Sequence, residues 1–160
     1  MNDQLNNQFW YEVVIDDVPR CLPGTSIHDL LLHIMKATEL KYVVTDDVEG
    51  GMVLYFQQIE HVPIELNEVL PKFKTVIQFD WADFFLYKNY PSGWESFKER
   101  STRNLDYYEL IQETDVTVRA VDDQYMYVYT KDENVVKVIS DNYFTESIKF
   151  APIENYIFPY

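Results

Sequence analysis

Glycine is scarce in this chain, with four in 160 residues: Gly24, Gly50, Gly51 and Gly93. Loops that cradle phosphate need glycine where backbone closely approaches the ligand. No G-x-G-x-x-G or Walker pattern is present, so nucleotide binding through such loops is excluded. Cysteine is scarcer still. The single Cys21 excludes an internal disulfide and fits a reducing compartment; a packed or loop thiol accounts for it. With three histidines, His28, His33 and His61, the clustered Cys and His ligands of a zinc site are missing. His28 and His33 stand five apart on a predicted helix and so on different faces. Asp46, Asp47 and Glu49 lack the alternating ligands and mid-loop glycine of an EF-hand, and they read as a solvated turn. No metal and no cofactor is expected. There is no G-x-S-x-G nucleophile elbow. A triad assembled in space stays open, but with 27 acidic residues any carboxylate pair can be nominated, so none is.

Long apolar runs are absent as well. None approaches the roughly 20 residues that span a bilayer. The polar start MNDQLNNQFW has no basic stretch followed by an apolar one. The expectation is a soluble, cytoplasmic protein with no membrane association. Basic residues number 13 against 27 acids, for a net charge of −14. That balance argues against direct nucleic-acid binding, which shows a basic footprint, and against docking on anionic membrane. It suits a basic protein partner met by electrostatic steering. The charge is uneven: residues 1–71 carry net −9, residues 72–103 net +2 and residues 104–160 net −7.

What the chain does hold is apolar and aromatic. Hydrophobic residues make up 47%, enough for a core in one domain spanning 1–160. The stretch from Thr114 to Ser140 organises it. Val116, Val118 and Ala120 alternate with Thr117, Arg119 and Val121. After Asp122-Asp123-Gln124, Tyr125, Tyr127 and Tyr129 alternate with Met126, Val128 and Thr130. After Asp132-Glu133-Asn134, alternation resumes from Val135 to Ile139. Period-two alternation between acidic turns predicts an antiparallel meander.

Elsewhere, Gln8 to Asp16 alternates and predicts a strand. Ser26 with Asp29 resembles a capped helix start, and Ile27, Leu30, Leu31, Ile34 and Met35 carry a helix to about Glu39. Lys41–Thr45 and Met52–Ile59 are expected to pair as a hairpin around the acidic Asp46–Gly51 turn. A short helix is expected from Ile64 to Leu70 between Pro63 and Pro71, and a strand from Thr75 to Phe79. Trp81, Phe84 and Phe85 stand at helical spacing after Asp80. Ser92 with Glu95 starts a further helical pattern that runs toward Ile111, through the weak formers Ser101 and Thr102. The tail from Asn142 holds six aromatics and two prolines; it is expected to lack regular structure and to pack back on the domain. The order of elements predicts the α+β class: a single domain of mostly antiparallel sheet with helices packed on one face.

The aromatic load, 13 Tyr, 10 Phe and 3 Trp, bears on function because Tyr and Trp are enriched at binding hot spots. Tyr125, Tyr127 and Tyr129 share one side of a strand. Either they form a platform flanked by Asp122, Asp123, Asp132 and Glu133, or they form cross-strand ladders half covered by a helix. The second arrangement is favoured, because both sides of the strand are apolar. The expected function is a small acidic inhibitor that is not an enzyme: a bacterial immunity protein, antitoxin or antagonist of a toxin or nucleic-acid enzyme. Asp46, Asp47, Glu49, Asp122, Asp123, Asp132 and Glu133 would supply the charge, and the three tyrosines the desolvated centre. The rivals are a small-ligand domain or enzyme with Trp81 or Trp94 stacking on a sugar or base and carboxylates as acid and base, and a structural subunit docked through its aromatic tail.

Overall fold

A computed structural model describes residues 9–16, 19, 21–97 and 107–158. Seven strands form one sheet in the order β3-β2-β4-β5-β6-β1-β7, and every neighbouring pair is antiparallel. The strands are β1 (Phe9–Ile15), β2 (Tyr42–Gly51), β3 (Ile64–Glu65), β4 (Gln78–Tyr87), β5 (Val116–Val121), β6 (Tyr125–Thr130) and β7 (Thr145–Pro152). The helices are α1 (Gly24–Ala37), α2 (Leu54–Gln58), α3 (Leu66–Phe73), α4 (Tyr107–Glu113) and α5 (Glu133–Asn142). The α+β class and the antiparallel sheet stand as the pattern predicts.

Alternation divides the sheet into two apolar faces. Val13, Ile15, Val43, Phe84, Leu86, Val116, Val118, Ala120, Met126 and Val128 meet the stripes of α1, α2, α3 and α5. Under them Phe56, Phe73, Phe79 and Phe84 pack with ring centroids 4.6 to 6.2 Å apart. Each fully buried ring contributes roughly 1.5–3 kcal/mol. The opposite face carries Trp10, Val44, Phe85, Tyr87 and Tyr129, covered by α4, Trp94 and the tail residues Ile153, Tyr156 and Phe158. The end of the tail thus packs back as expected, whereas Phe144 and Phe150 on the edge stay exposed, and the smaller face keeps the short α4 apart from the other four helices.

Several elements differ from the sequence pattern, each for a physical reason. Trp81, Phe84 and Phe85 lie on β4, a central strand buried on both sides. Such a strand is a continuous apolar run, and helical spacing then arises by coincidence. Val135–Ile139 is helical. Asp132 caps α5 by accepting a bond from Asn134 N at 2.9 Å, and burial of Val135 and Ile139, one turn apart, overrides β-branched propensity. Met52–Ile59 forms α2 rather than a strand, with Phe56 inside the core. There is consequently no hairpin at Asp46–Gly51: β2 runs straight through, with an extra residue between Asp46 and Glu49. That bulge turns Val48 into the helix-side core while Asp46 faces the other way. The tail contains β7, an edge strand whose exposure hides any alternation. Ser92–Phe97 is a 3-10 turn, and α4 is described from Tyr107. The expected helical continuation through Ser101, Thr102 and Leu105 lies outside the described residues.

Gly50 fixes the close approach of β2 and β4. Its φ is +154°, and a Cβ there would stand 2.2 Å from the Gln78 carbonyl oxygen. Gly50→Ala is expected to lose about 1–3 kcal/mol of stability. Gly51→Ala, whose Cβ would meet nothing nearer than Ile77 Cβ at 3.6 Å, is expected to melt within error of the parent.

Candidate functional site

Sheet register decides which of the acidic residues meet. Glu49 pairs with Trp81, and Trp81 with Val121. Asp123 N donates to Asp80 O at 3.1 Å. Glu49, Asp80, Asp122 and Asp123 therefore gather at one end of the sheet. Asp16 follows Ile15, which pairs with Met126, and joins them. Asp132 and Glu133 do not: they follow Thr130, which pairs with Val116 and Tyr11 at the opposite end. There Asp132 caps α5 and Glu133 accepts a bond from Tyr11 OH at 3.3 Å.

Backbone strain marks the gathered end. Asp122 and Asp123 have φ of 58° and 51°, and Gln124 N donates to Val121 O at 3.1 Å. Two consecutive left-handed residues in this three-residue connection hold a conformation that Asn and Gly adopt at least strain. Asp47 and Met52 are left-handed too. Met52, Leu54 and Ile77 are 67%, 64% and 66% exposed, and Ile77 N donates to Gly51 O at 3.0 Å. Apolar side chains thus stand in solvent beside the carboxylates. None of Glu49, Asp80, Asp122 and Asp123 has a lysine or arginine partner among the described residues. Tyr125 and Tyr127, half-buried, stand below with rings edge to face at 6.5 Å. Tyr129 is fully buried and donates to Glu12 Oε2 at 2.8 Å, so it belongs to the core ladder and not to a platform.

Asp46 also belongs inside. It is 1% exposed and pairs with Asp83 across the sheet. From there a row of polar groups crosses the smaller face. Asp83 pairs with Arg119, and Arg119 with Tyr127. Asp83 and Arg119 are both fully buried, with Arg119 Nε donating to Asp83 Oδ1 at 2.5 Å and Tyr107 OH to Oδ2 at 2.8 Å. The guanidinium carbon lies 4.8, 5.7 and 5.9 Å from the ring centroids of Tyr107, Trp81 and Phe158. Nη1 and Nη2 have no hydrogen-bond acceptor among the described residues, and these π-faces supply the negative potential they need. Full burial pushes the Asp83 carboxyl up against the opposing pull of Arg119. Burial works against the charge on Arg119, and Asp83 beside it more than offsets this, so its pKa is raised.

At the edge of this row His61 Nε2 lies 2.6 Å from Asp46 Oδ1, and the His61 ring stacks on Trp94 at 5.8 Å. The hydrogen bond to Asp46 raises the His61 pKa. Burial raises that of Glu60, whose Oε1 accepts a bond from Val48 N at 3.0 Å. Sequence reasoning missed Asp83, Arg119, Glu60 and His61. An arginine alternating with valines on a buried strand was the available signal for the first two, since such a charge needs a carboxylate. No local signal marks the others, which reach Asp46 only because α2 folds back.

The tyrosine hydroxyls of this face set an alkaline limit. Burial, with the charge of Glu12 adding to it, pushes Tyr156 up to about 12. Tyr87, Tyr107 and Tyr129 are likewise raised, burial again the largest cause. Unfolded tyrosine ionises near ~10. A folded value above this contributes stability that is complete below about pH 10 and lost as the pH climbs toward the folded values. An ultraviolet titration is expected to show two steps, the second coinciding with loss of the circular dichroism signal. All tyrosines ionising in one step with the fold intact would contradict the packing described.

No known protein family, curated protein or solved structure matches this chain.

Proposed function

We propose that this chain is a binding protein, an inhibitor or immunity-type antagonist, that covers a basic surface on another protein such as a toxin or nucleic-acid enzyme. The observation that carries the reading is the sheet end where Met52, Leu54 and Ile77 stand exposed among Glu49, Asp80, Asp122 and Asp123, with no cationic partner for those carboxylates among the described residues. Apolar anchors ringed by charge are the anatomy of a protein interface. Asp122 and Asp123 hold turn positions that Asn-Gly would fill at lower strain, and backbone strain of this kind clusters at functional sites. Asp46, Tyr129, Asp132 and Glu133 drop out of the proposed surface. Asp47 stays at its margin, and Tyr125 and Tyr127 flank it.

The test is retention of a partner from the source cells on the immobilised chain at low and at high salt. A basic protein held at low salt and released at high salt supports the reading. Failure to hold one at low salt, or retention of an acidic protein indifferent to salt, overturns it.

A second reading, a domain for a small aromatic or sugar ring, has one observation in its favour. Tyr87, Tyr90 and Trp94 line a cavity of about 410 Å³ together with Glu113 and Asp115.

A further inference from the structure

We infer that Asp46, Glu60 and His61 form a binding site for one divalent transition-metal ion of the Mn²⁺ or Zn²⁺ class. A ligand-capable atom from each residue lies within 4.8 Å of the other two. Donors about 2.0–2.2 Å from a common tetrahedral ion stand about 3.3–3.6 Å apart, so binding requires His61 Nε2 to exchange its 2.6 Å bond to Asp46 Oδ1 for the ion, with side-chain shifts of up to about 1.5 Å at the half-exposed His61 and Glu60. The donors are two carboxylates and one imidazole. Oxygen donors alone would suit Mg²⁺ or Ca²⁺; the imidazole moves the preference toward Mn²⁺ and Zn²⁺. Two carboxylates and a neutral ring balance the charge of a divalent ion.

A second observation separates this cluster from a surface patch of acids. Asp46 is 1% exposed, and its Oδ2 has no hydrogen-bond partner among the described residues. A buried carboxylate oxygen without a donor is destabilising by an amount that proteins seldom leave unrelieved. Across the sheet Asp46 pairs with another buried carboxylate, Asp83. An ion relieves both the orphaned oxygen and the crowding of negative charge. His61 is 24% exposed, which gives the ion a way in.

The segment that carries the ligands is anchored. His61 N donates to Thr45 O at 3.0 Å, and Val48 N holds Glu60 Oε1 at 3.0 Å. Gln57 Nε2 donates to Val48 O at 3.0 Å, and Trp94 stacks on the His61 ring. Such outer contacts orient ligands and tune affinity. The bound ion would tie the loop after α2 to β2.

The test uses the full chain, stripped with a chelator and desalted, titrated separately with Mn²⁺, Zn²⁺ and Mg²⁺. One equivalent of Mn²⁺ or Zn²⁺ is expected to bind, with Mg²⁺ binding more weakly. Substoichiometric Mn²⁺ is expected to broaden first the amide resonances of residues 46–48 and 60–61. At a hundredfold excess over Kd the melting temperature is expected to rise by roughly 5–10 °C. Asp46→Asn is expected to weaken binding about 100-fold or more, since loss of an outer-shell contact alone costs 10–100-fold. Glu60→Gln, at a half-exposed position, gives the same reading if Asp46→Asn fails to fold. Broadening centred on Glu49, Asp122 and Asp123, Mg²⁺ binding as tight as Mn²⁺, or a folded variant with unchanged affinity overturns the site.

Discussion

Arg119→Ala is expected to lose about 3–5 kcal/mol of folding stability, the largest single effect in this chain outside gross core truncation. The reason is what remains. Asp83 is fully buried and accepts from both Arg119 Nε and Tyr107 OH. Without the arginine it becomes a buried carboxylate with one donor, across the sheet from the buried Asp46. In a domain of this length the loss corresponds to a fall of roughly 6–20 °C in melting temperature. Arg119→Lys is expected to recover little, because an ammonium cannot lie flat between the rings of Tyr107, Trp81 and Phe158. Replacing Asp83, Arg119 and the Tyr107 hydroxyl together, as Asp83→Leu, Arg119→Met and Tyr107→Phe, is expected to restore most of the stability. Well-packed apolar groups do as well as a buried pair, and often better. Chemical denaturation of the three variants checks this. An Arg119→Ala protein that melts like the parent would show that the pair is not buried as described.

A combined Glu49→Lys, Asp122→Asn, Asp123→Gly variant is expected to associate with the basic partner about 10–100-fold more slowly at low salt, within the range that steering supplies. The parent and variant rates should converge as ionic strength rises. The same turn change should leave the fold intact and raise stability by about 0.5–1 kcal/mol, because Asn-Gly relieves two left-handed aspartates. Opposite signs on stability and binding are the useful feature: a purely structural turn would gain stability and lose nothing else. Stopped-flow association at two salt concentrations, alongside denaturation curves, separates the cases. Equal rates for parent and variant at low salt would remove Asp122 and Asp123 from the interface.

Much of the fold was legible in the sequence. Phe9 to Ile15, Val116 to Val121 and Tyr125 to Thr130 alternate because one side meets the apolar helix-side core and the other carries polar groups such as Glu12, Arg119 and the Tyr129 hydroxyl. The stripe of Ile27, Leu30, Leu31 and Ile34 identifies α1 for the same reason. Legibility failed where environment stops varying with residue parity. β4 is buried on both faces, so Trp81 to Tyr87 shows no period. β7 is an exposed edge, so Thr145 to Pro152 shows none either. In α5 the cap at Asp132 was the better guide, and the valines the worse one.

The candidate interface was legible only in part. Asp122 and Asp123 announce a turn, and Glu49 an exposed end. That these three share one end of the sheet with Asp80, while Asp132 and Glu133 lie at the other, depends on strand order, which residue spacing does not encode. Nor does spacing reveal that Asp46 continues β2 in register against the buried Asp83 and a bulge follows it, or that Met52, Leu54 and Ile77 stay exposed. The exposure of Met52 and Ile77 follows from the junction of β2 with α2 and the entry to β4, a purely tertiary arrangement.

Hydrogen exchange of the chain, free and bound to the protein it retains at low salt, tests the interface most directly. New protection is expected only at residues 47–54, 77–81 and 121–127, with β7 and the segment around Glu113 and Asp115 unchanged. Protection at Tyr87 to Trp94 and Glu113 to Asp115 instead, with the acidic end exchanging as in the free chain, would contradict it.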